Sequence, residues 1–377
     1  MSYQICKKLV LDTTYPGIKF DNDGISSNYW DFENKVKKIW QKNKEGKIEL
    51  ENIVKKIKSD GSGKDFDSIL GLSGGADSSY MLHVMVNEFN LKPLVFHVDG
   101  GWNSEIAVSN IKNLVDKLKL DLFTEVINWE EMRNFQLAMF KSGVPHIDIP
   151  QDMAFIGVLY KFAKKYNINY ILNGGNISTE CVQRPLDLIY WGTDMRHIKD
   201  ILKKFNSYKM KTFPFSSAFH HKLYLRYFKN VKVLKPLNYI NYIKKDAMNL
   251  MSNLYDWKPY PQKHFESRFT RFFEGYWLPT RFKFDMRTVD LSSLILTNQL
   301  TREQALEELA KPPYDKDLID QDFNYIANKL NIDHVELKKF HEMPKKYWKD
   351  YKNFNLIYKL AEKVLEKISG TRRGGAF

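Results

Sequence analysis

A short glycine-rich segment carries residue types that bind phosphate. Ser73-Gly74-Gly75-Ala76-Asp77-Ser78 stands between an apolar run at 68–72, which predicts a buried strand, and a run at 80–86 with the apolar face of a helix. The two glycines let the backbone approach a ligand closely, and the N–H groups at a helix start point at an anion. Hydroxyls of Ser73, Ser78 and Ser79 add donors. The segment predicts an anion site; the alternative is a turn that binds nothing.

The spacing Ser-Gly-Gly-x-Asp-Ser resembles the pyrophosphate loop (PP-loop) of the ATP pyrophosphatase superfamily, whose members cleave ATP to AMP and pyrophosphate. It differs from a Walker A loop, because no Gly-Lys-Ser/Thr follows. The resemblance implies ATP and Mg²⁺ as ligands. ATP contacts are expected from Ser73, Gly74, Gly75, Asp77, Ser78 and Ser79. Asp77 is the first candidate to bind the metal ion and Glu180 the second.

The middle of the chain alternates predicted strands with predicted helices. The strands are expected at 68–72, 94–98, 122–127 and 170–172, and the helices at 105–118, 132–141 and 152–166. This order predicts an α/β fold with a doubly wound parallel sheet. The superfamily resemblance implies the adenine nucleotide alpha hydrolase-like type of that fold.

Three regions are expected along the chain. Residues 1–62 form an accessory segment, with a short hairpin near 18–20 and a basic helix over 30–58. Residues 63–255 form the ATP pyrophosphatase domain. Residues 256–377 form a helical C-terminal region, with helices predicted near 301–309, 317–330 and 353–368.

Polar loops follow the predicted strands. Asp99-Gly100-Gly101-Trp102-Asn103 follows the second strand, and residues 173–180 follow the fourth. Ligands of open parallel sheets bind beyond the carboxyl ends of the strands at the switch point, where we expect the loops after Leu72, Val98 and Leu172 to converge. An ordinary turn is the alternative for any one loop. The residues expected to contact the ribose, adenine and α-phosphate are Asp99, Asn173, Gly174, Gly175 and Asn176.

Composition narrows the class of protein. The chain has 377 residues, of which 43% are hydrophobic, and it contains neither a long apolar run nor a signal-like start, so a cytoplasmic enzyme is predicted. Its two cysteines, Cys6 and Cys181, exclude a disulfide framework and a four-cysteine metal site. The net charge of +13 indicates polyanionic partners, whether nucleotides, nucleotide sugars or RNA.

Basic and aromatic residues alternate at 263–273 and 281–287. Three interpretations stay open at this point. The pattern fits a nucleic-acid surface, a set of arginines that grip phosphate, or core phenylalanines beside solvated charges.

Nearly the whole chain resembles the N-acetyl sugar amidotransferase family of bacterial surface-polysaccharide and pseudaminic-acid-type glycan pathways. The PP-loop is common to many enzymes, whereas the blocks at 263–271 and 291–295 are more specific to this family. The matching blocks are 12–21, 73–79, 97–105, 173–176, 263–271 and 291–295.

One departure from the family concerns metal binding. Family members carry two cysteine pairs near the N-terminus, which form a plausible zinc site. Here Leu9 stands where a second ligand would follow Cys6, and Ser26, Ser27, Tyr29 and Trp30 occupy the other region. A lone thiolate cannot hold structural zinc. We therefore expect no zinc and packing by aromatic side chains instead.

The resemblance implies conversion of an acetamido group on a nucleotide-activated sugar into an acetamidino group. The amide oxygen attacks the α-phosphorus of ATP, pyrophosphate leaves, and ammonia then displaces AMP. Lys263, Arg268 and Arg271 would stabilise the phosphorus centre or the substrate diphosphate. His264 and Glu266 are the candidates for proton transfer.

No glutaminase is visible in the sequence. The resemblance therefore implies that ammonia comes from a glutaminase and an ammonia-channel barrel similar to the subunits of imidazole glycerol phosphate synthase, docked on the Lys-rich stretches 35–58 or 199–211.

The rival function is a tRNA-modifying PP-loop enzyme, thiolating or lysine-adding. Thiolation usually requires a reactive cysteine pair or cluster, so nucleic acid is the less favoured partner. The sequence does not show whether the substrate is a UDP-linked diacetamido uronic acid or a CMP-linked nonulosonic acid.

Overall fold

The computed structural model describes residues 2–219 and 230–369. Within these ranges lies a five-stranded sheet in which every pairing is parallel. Its strands are β1 Ser68–Gly71, β2 Pro93–Asp99, β3 Leu122–Val126, β4 Tyr170–Leu172 and β5 Lys232–Leu234. The order β3-β2-β1-β4-β5 confirms the doubly wound α/β fold and puts the switch point between β1 and β4.

The fifth strand was not predicted. β5 has three residues and pairs with β4 at the edge of the sheet. Lys232 and Val233 are exposed, and only Leu234 is buried. Such a strand shows neither the apolar run of a central strand nor a clear alternation, so its sequence gives no signal.

Helices cover most of the remaining chain, and several match the sequence predictions closely. α5 has the predicted bounds, and α13, predicted near 301–309, begins with a Thr301–Gln304 capping box. The helices are α1 Ser27–Asp31, α2 Lys37–Ile39, α3 Lys44–Asp60, α4 Ala76–His83, α5 Glu105–Leu118, α6 Trp129–Ser142, α7 Ile149–Lys165, α8 Ile177–Glu180, α9 Met195–Phe205, α10 Lys244–Tyr255, α11 Arg268–Phe272, α12 Arg287–Leu296, α13 Arg302–Ala310, α14 Lys316–Leu330, α15 His334–Glu342 and α16 Asn355–Ser369. Wider π turns cover Phe32–Val36, Val84–Glu88 and Phe273–Phe282, and 3₁₀ turns cover Pro236–Asn238 and Trp348–Asp350.

The prediction of one helix over 30–58 is wrong. The chain leaves the helical conformation at Trp40, whose ring packs edge-on against Phe32 at 6.4 Å. Asn43 then starts α3 by accepting a hydrogen bond from the Gly46 N–H at 2.9 Å. Asn is a strong N-cap, so a new helix begins where a continuous one was expected.

Two apolar cores lie on opposite faces of the sheet. Ile69 and Ile171 point into one, while Leu70 and Leu172 point into the other, as the alternation of a strand requires. The first core also contains Leu9 and Trp277 and therefore unites residues from all three predicted regions. No helix in the described ranges has the length and hydropathy needed to cross a bilayer.

A buried carboxylate joins two C-terminal helices. Asp322 of α14 is fully buried and accepts hydrogen bonds from Arg268 Nε at 3.0 Å, from Arg271 Nε at 2.7 Å and from the Tyr314 hydroxyl. Three donors saturate a charge that would be costly to bury alone. The contact ties α11, which follows residues 263–266, to the helical region.

We predict that Asp322→Ala lowers the free energy of unfolding by about 3 kcal/mol, because it leaves two arginines without their buried partner. The estimate is at the lower end for such pairs, since Arg268 is partly exposed to water. Urea denaturation measures the change. The matched variant Asp320→Ala removes an exposed carboxylate of the same helix and should shift stability by no more than about 0.5 kcal/mol. Equal effects of the two variants would contradict this role of Asp322.

Candidate active site

A cavity of about 410 Å³ opens at the carboxyl ends of β1 and β4, at the switch point of the sheet. The loop after β1 forms one wall, the loop after β4 forms a second, and α10 with the segment 257–266 closes the rest. The polar side chains that line it are Ser73, Asp77, Ser78, Asn173, Glu180, Lys244, Tyr260, Gln262, Lys263, His264 and Glu266.

The peptide of Gly74 sets the shape of the first loop. Its φ of +85° lies in the left-handed region, and its carbonyl accepts hydrogen bonds from Trp257 Nε1 at 2.9 Å and the Tyr260 hydroxyl at 3.1 Å. Both donors come from the segment that closes the cavity. The carbonyl is therefore occupied by these two donors, and the glycine turn is held by a distant part of the chain.

The start of α4 faces the cavity with free donors. Gly75 is the N-cap, and no side chain in the described ranges caps this helix, so N–H groups of its first turn stay available. The Ser73 hydroxyl accepts from the Gly75 N–H at 3.2 Å and lies 3.2 Å from the Ser78 hydroxyl. This arrangement can hold a polyanion through backbone and hydroxyl donors.

Lys263 bridges two carboxylates on the cavity wall. Its ammonium lies 2.7 Å from Glu180 Oε1 and 3.4 Å from Asp77 Oδ2. Asp77 Oδ1 also accepts a hydrogen bond from the Tyr242 hydroxyl at 2.5 Å. Burial opposes the charge on Lys263, but the two carboxylates outweigh it and raise the pKa of the ammonium. Burial likewise opposes the charge on Glu180, and Lys263 reverses this and lowers the pKa of that carboxyl.

Glu266 rests directly on the glycine turn. A Cβ atom added to Gly75 would collide with Glu266 Oε1, so only glycine leaves room for this carboxyl. Burial raises the pKa of Glu266 to about 7, and the nearby charge of Asp77 adds to the shift. A carboxyl with this pKa can accept a proton near neutral pH.

The residues of the loop after β4 have two roles: some line the cavity, and Asn176 caps a helix. Asn173, Gly174 and Gly175 line the cavity, and Asn173 Oδ1 accepts from the Gly175 N–H at 2.7 Å. Asn176 does not line it; its side chain caps α8 by accepting from the Thr179 N–H at 2.9 Å. That cap fixes the short helix whose last residue is Glu180.

Of the three loops expected to converge, those after β1 and β4 line the cavity, and the loop after β2 does not. Asp99 lies outside the cavity, where its carboxylate accepts hydrogen bonds from the Gly101 N–H at 2.8 Å and from Asn103 Nδ2 at 3.2 Å. It borders a separate depression of about 200 Å³ beside Trp129 and Lys329. The reason is topological, because β2 flanks β1 on the side opposite to the switch point.

Other predicted site residues also lie outside the cavity wall. Arg268 and Arg271 form ion pairs with Asp322, and their predicted phosphate contact stays a prediction. Ser79 is buried behind the loop. Gly74 shapes the loop without lining the cavity. No group of three or more His, Cys, Asp or Glu side chains in the described ranges is arranged to hold a metal ion.

His264 is held as a neutral acceptor. Arg184 Nη2 donates to His264 Nε2 at 2.7 Å, and Arg184 Nη1 lies 3.3 Å from Glu274. Burial, helped by the charge of Arg184, lowers the pKa of His264 well below its usual value. Of the two predicted proton-transfer residues, Glu266 is therefore the one whose pKa suits the task.

Sequence reasoning missed several residues of this site. They are Arg184, Tyr242, Lys244, Trp257 and Tyr260. Each acts on a loop far away along the chain; Tyr242, for example, contacts Asp77 across 165 positions. The one available signal was the closeness of Trp257 and Tyr260 to the Lys263 block.

Residues 266–365 match the family described as LPS biosynthesis protein WbpG-like, C-terminal domain. The matched range contains the block at 291–295 and most of the block at 263–271, the two blocks that are more specific in the family resemblance. No match was found among curated protein sequences.

Solved structures offer more distant similarities. NMN synthetase from Francisella tularensis is 14% identical over 79% of this chain and 97% of its own, with a TM-score of 0.32. NH3-dependent NAD synthetase from Campylobacter jejuni is 12% identical over 80% and 97%, also with 0.32. The U34-tRNA thiolase NcsA from Methanococcus maripaludis is 13% identical over 74% and 80%, with 0.34. At these TM-scores they carry no argument, and the fold class follows from the strand order itself.

We predict that Gly74→Ala mainly lowers the stability of the protein, whereas Gly75→Ala mainly lowers its affinity for ATP. At Gly74 an added Cβ would lie 2.9 Å from the Ala107 carbonyl at a positive φ, so Gly74→Ala should lower the free energy of unfolding by about 1–2 kcal/mol. At Gly75 it would displace only the Glu266 side chain, so stability should stay within about 0.5 kcal/mol. Gly75→Ala should nevertheless weaken ATP binding at least about tenfold, the loss of one charge-assisted hydrogen bond.

Urea denaturation and calorimetric titration with ATP measure the two quantities for each variant. Unchanged ATP affinity in Gly75→Ala would show that the ligand does not approach this glycine.

Proposed function

We propose that this chain, whose residues 266–365 belong to the WbpG-like family of LPS biosynthesis proteins, is an ATP-dependent amidotransferase that converts the acetamido group of a nucleotide-activated sugar into an acetamidino group. One observation carries the proposal. Lys263 and Glu266, which belong to the more family-specific block at 263–271, lie in one cavity with the Ser73–Ser78 loop. The residues particular to the family thus meet the loop that suits a polyphosphate.

ATP fits this cavity by its charge. The β- and γ-phosphates would lie on the first turn of α4, with the hydroxyls of Ser73 and Ser78 as further donors. Asn173, Gly174 and Gly175 would border the nucleoside side. Lys263 would reach a phosphate oxygen from the opposite wall, since its ammonium is held at the cavity edge by Glu180 and Asp77.

The donor set also fits Mg²⁺. This ion is usually bound by one or two carboxylates together with substrate phosphates, and Asp77 and Glu180 offer two carboxylates that share one ammonium. When bound, the ion would neutralise charge on the departing pyrophosphate.

The proposed reaction has two steps. The amide oxygen of the acetamido group attacks the α-phosphorus, and pyrophosphate leaves. Ammonia then attacks the activated carbon, and AMP leaves with the former amide oxygen. Lys263 would stabilise negative charge on the phosphorus centre, and Glu266 would take the proton that the attacking ammonia loses.

The rival tRNA function gains no support from the cysteines. Burial raises the pKa of the Cys181 thiol to about 12, and the thiol contacts the Ser293 carbonyl at 3.6 Å. Cys6 is buried, and its sulfur accepts a hydrogen bond from the Ser26 N–H. Neither is the exposed thiol that thiolation chemistry requires.

Ammonia would be delivered by a glutaminase and an ammonia-channel barrel, as the family resemblance implies. Both Lys-rich candidate docking stretches, 35–58 and 199–211, carry exposed lysines. The acceptor would be a UDP-linked diacetamido uronic acid or a CMP-linked nonulosonic acid.

The proposal is tested by incubating the chain with ATP, Mg²⁺, ammonium and each candidate nucleotide sugar. Mass spectrometry should show one acceptor in which an NH group replaces one oxygen, together with AMP and pyrophosphate. Glutamine in place of ammonium should give no product without the partner proteins. Formation of ADP and phosphate would contradict the proposed chemistry.

We predict that Asp77→Asn slows AMP formation about 100-fold or more, because it removes a charge that would order the metal–phosphate complex. Asparagine keeps an acceptor for the Tyr242 hydroxyl, so the fold should persist. Initial rates of AMP release measure the effect. Asp116→Ala, an exposed carboxylate on α5, is the control and should leave the rate unchanged. A similar rate for Asp77→Asn and wild type would remove Asp77 from the site.

We predict that Glu266 sets the pH dependence of ammonia transfer. Its raised pKa of about 7 means that the carboxyl is protonated below this pH and able to accept a proton above it. At a constant concentration of free NH3, the rate should therefore rise with pH and level off above neutrality. Glu266→Gln should abolish this ionisation and lower the rate about 100-fold or more. A pH profile that is the same in wild type and Glu266→Gln would refute the role of Glu266.

A further inference from the structure

Polar side chains, most of them buried, lie between α7, which borders the cavity, and the face made by α9 and the start of α16. We call this series the polar run. Its members are Asp152, His146, Tyr190, His197, Thr193, Asn355 and Tyr358. Apart from Asp152, each is at least nine-tenths buried.

The polar run begins beside the cavity. Asp152 lies on α7 three and seven residues before Phe155 and Leu159, which line the cavity, so the three side chains share one face of the helix. The Asp152 side chain is 40% exposed, and its carboxylate lies 3.4 Å from His146 Nε2. The first member of the run is thus partly exposed and lies on the helix face that borders the cavity.

Aromatic contacts and a shared carboxylate continue the polar run inward. The ring centroids of His146 and Tyr190 are 5.7 Å apart, and those of Tyr190 and His197 are 4.8 Å apart. Asp194 then joins α9 to α16, because it accepts hydrogen bonds from the N–H groups of His197 at 3.2 Å and Phe354 at 2.6 Å. Asn355 and Tyr358 follow in the first turn of α16, next to exposed Leu356 and Ile357.

The polar atoms of this run are unusually poorly satisfied. A buried polar atom without a partner costs about 1–3 kcal/mol, and native proteins keep few of them. Concentration of such atoms along one line indicates that a small hydrogen-bonding molecule passes there. The atoms without a partner in the described ranges are the hydroxyls of Tyr190, Thr193 and Tyr358, both ring nitrogens of His197, and the amide oxygen and nitrogen of Asn355.

His197, in the middle of the polar run, is uncharged. Burial lowers the pKa of His197 to about 3, so the imidazole is neutral. The Asp194 carboxylate is occupied by the N–H groups of Arg196, His197 and Phe354. A neutral lining of donors and acceptors suits a small neutral molecule and rejects a cation.

We propose that the polar run is the route by which neutral ammonia enters the cavity from the face of α9 and α16. The proposal rests on the proposed amidotransferase function. Ammonia and water share the chemistry that such a route recognises. The KM for free NH3 distinguishes the two molecules, because substitutions in a polar run that holds only water would leave this KM unchanged.

The test removes hydroxyls that have no partner. Tyr190→Phe, Thr193→Val and the double variant keep the shape of each side chain. We expect the KM for free NH3 to rise about 2- to 12-fold for each hydroxyl, the value of one neutral hydrogen bond, with the KM for ATP unchanged. The melting temperature should not fall, because no satisfied contact is lost. The single variants serve if the double variant does not fold.

Tyr351→Phe is the matched control. Its ring packs 5.6 Å from His197, but its hydroxyl donates to the Ser142 carbonyl at 2.6 Å. This variant should lower the melting temperature and leave the KM for NH3 unchanged. If the KM for NH3 is unchanged in the double variant, the route is refuted, while turnover by the wild-type protein still supports the proposed function. A loss of stability in the double variant like that of Tyr351→Phe refutes the route in the same way. Absence of ammonia-dependent AMP formation in wild type instead refutes the proposed function and the route with it.

Discussion

The contact between the Lys263 ammonium and the carboxylates of Glu180 and Asp77 is the interaction on which the site depends. It joins the C-terminal segment to the end of α8 and to the first turn of α4. Burying one of these charges alone would be costly, and the two opposite charges offset that cost only while all three groups stay together. The site therefore exists only when the glycine loop, the β4 loop and the segment at 263 have assembled.

Backbone contacts place Lys263 within reach of those carboxylates. Asn103 and Ser267 form an antiparallel bridge, and the Ser104 N–H donates to the Glu266 carbonyl at 2.8 Å. The loop after β2 thus acts on the site through the backbone, although Asp99 does not face the cavity. The ligand contact predicted for Asp99 stays a prediction, and the structure shows this loop supporting the backbone of Glu266.

Local signals in the sequence were sufficient for the glycine loop, four strands and most helix bounds, because burial periodicity and capping act over a few residues. They failed where the deciding partner is remote. Arg268 and Arg271 stand in a basic and aromatic pattern that suits phosphate or an ion pair equally, and the choice lies with Asp322, more than 50 positions away. No pattern near these arginines points to that aspartate. The contact between Tyr242 and Asp77 could not be predicted from the sequence around Asp77 either, because the two residues lie far apart along the chain.

The proposed ammonia route gives the burial of Glu266 a purpose within the reaction. At neutral pH most ammonia is protonated to ammonium. A neutral polar run would deliver only unprotonated NH3, which is the nucleophile. That molecule must lose a proton after it attacks, and the loss occurs inside a cavity already crowded with phosphate charge. An ordinary glutamate would be a weak base there, since its pKa lies far below neutrality. Burial of Glu266 against Gly75 raises its pKa to about 7, so the fold supplies a base of matched strength beside the loop that would hold the β- and γ-phosphates.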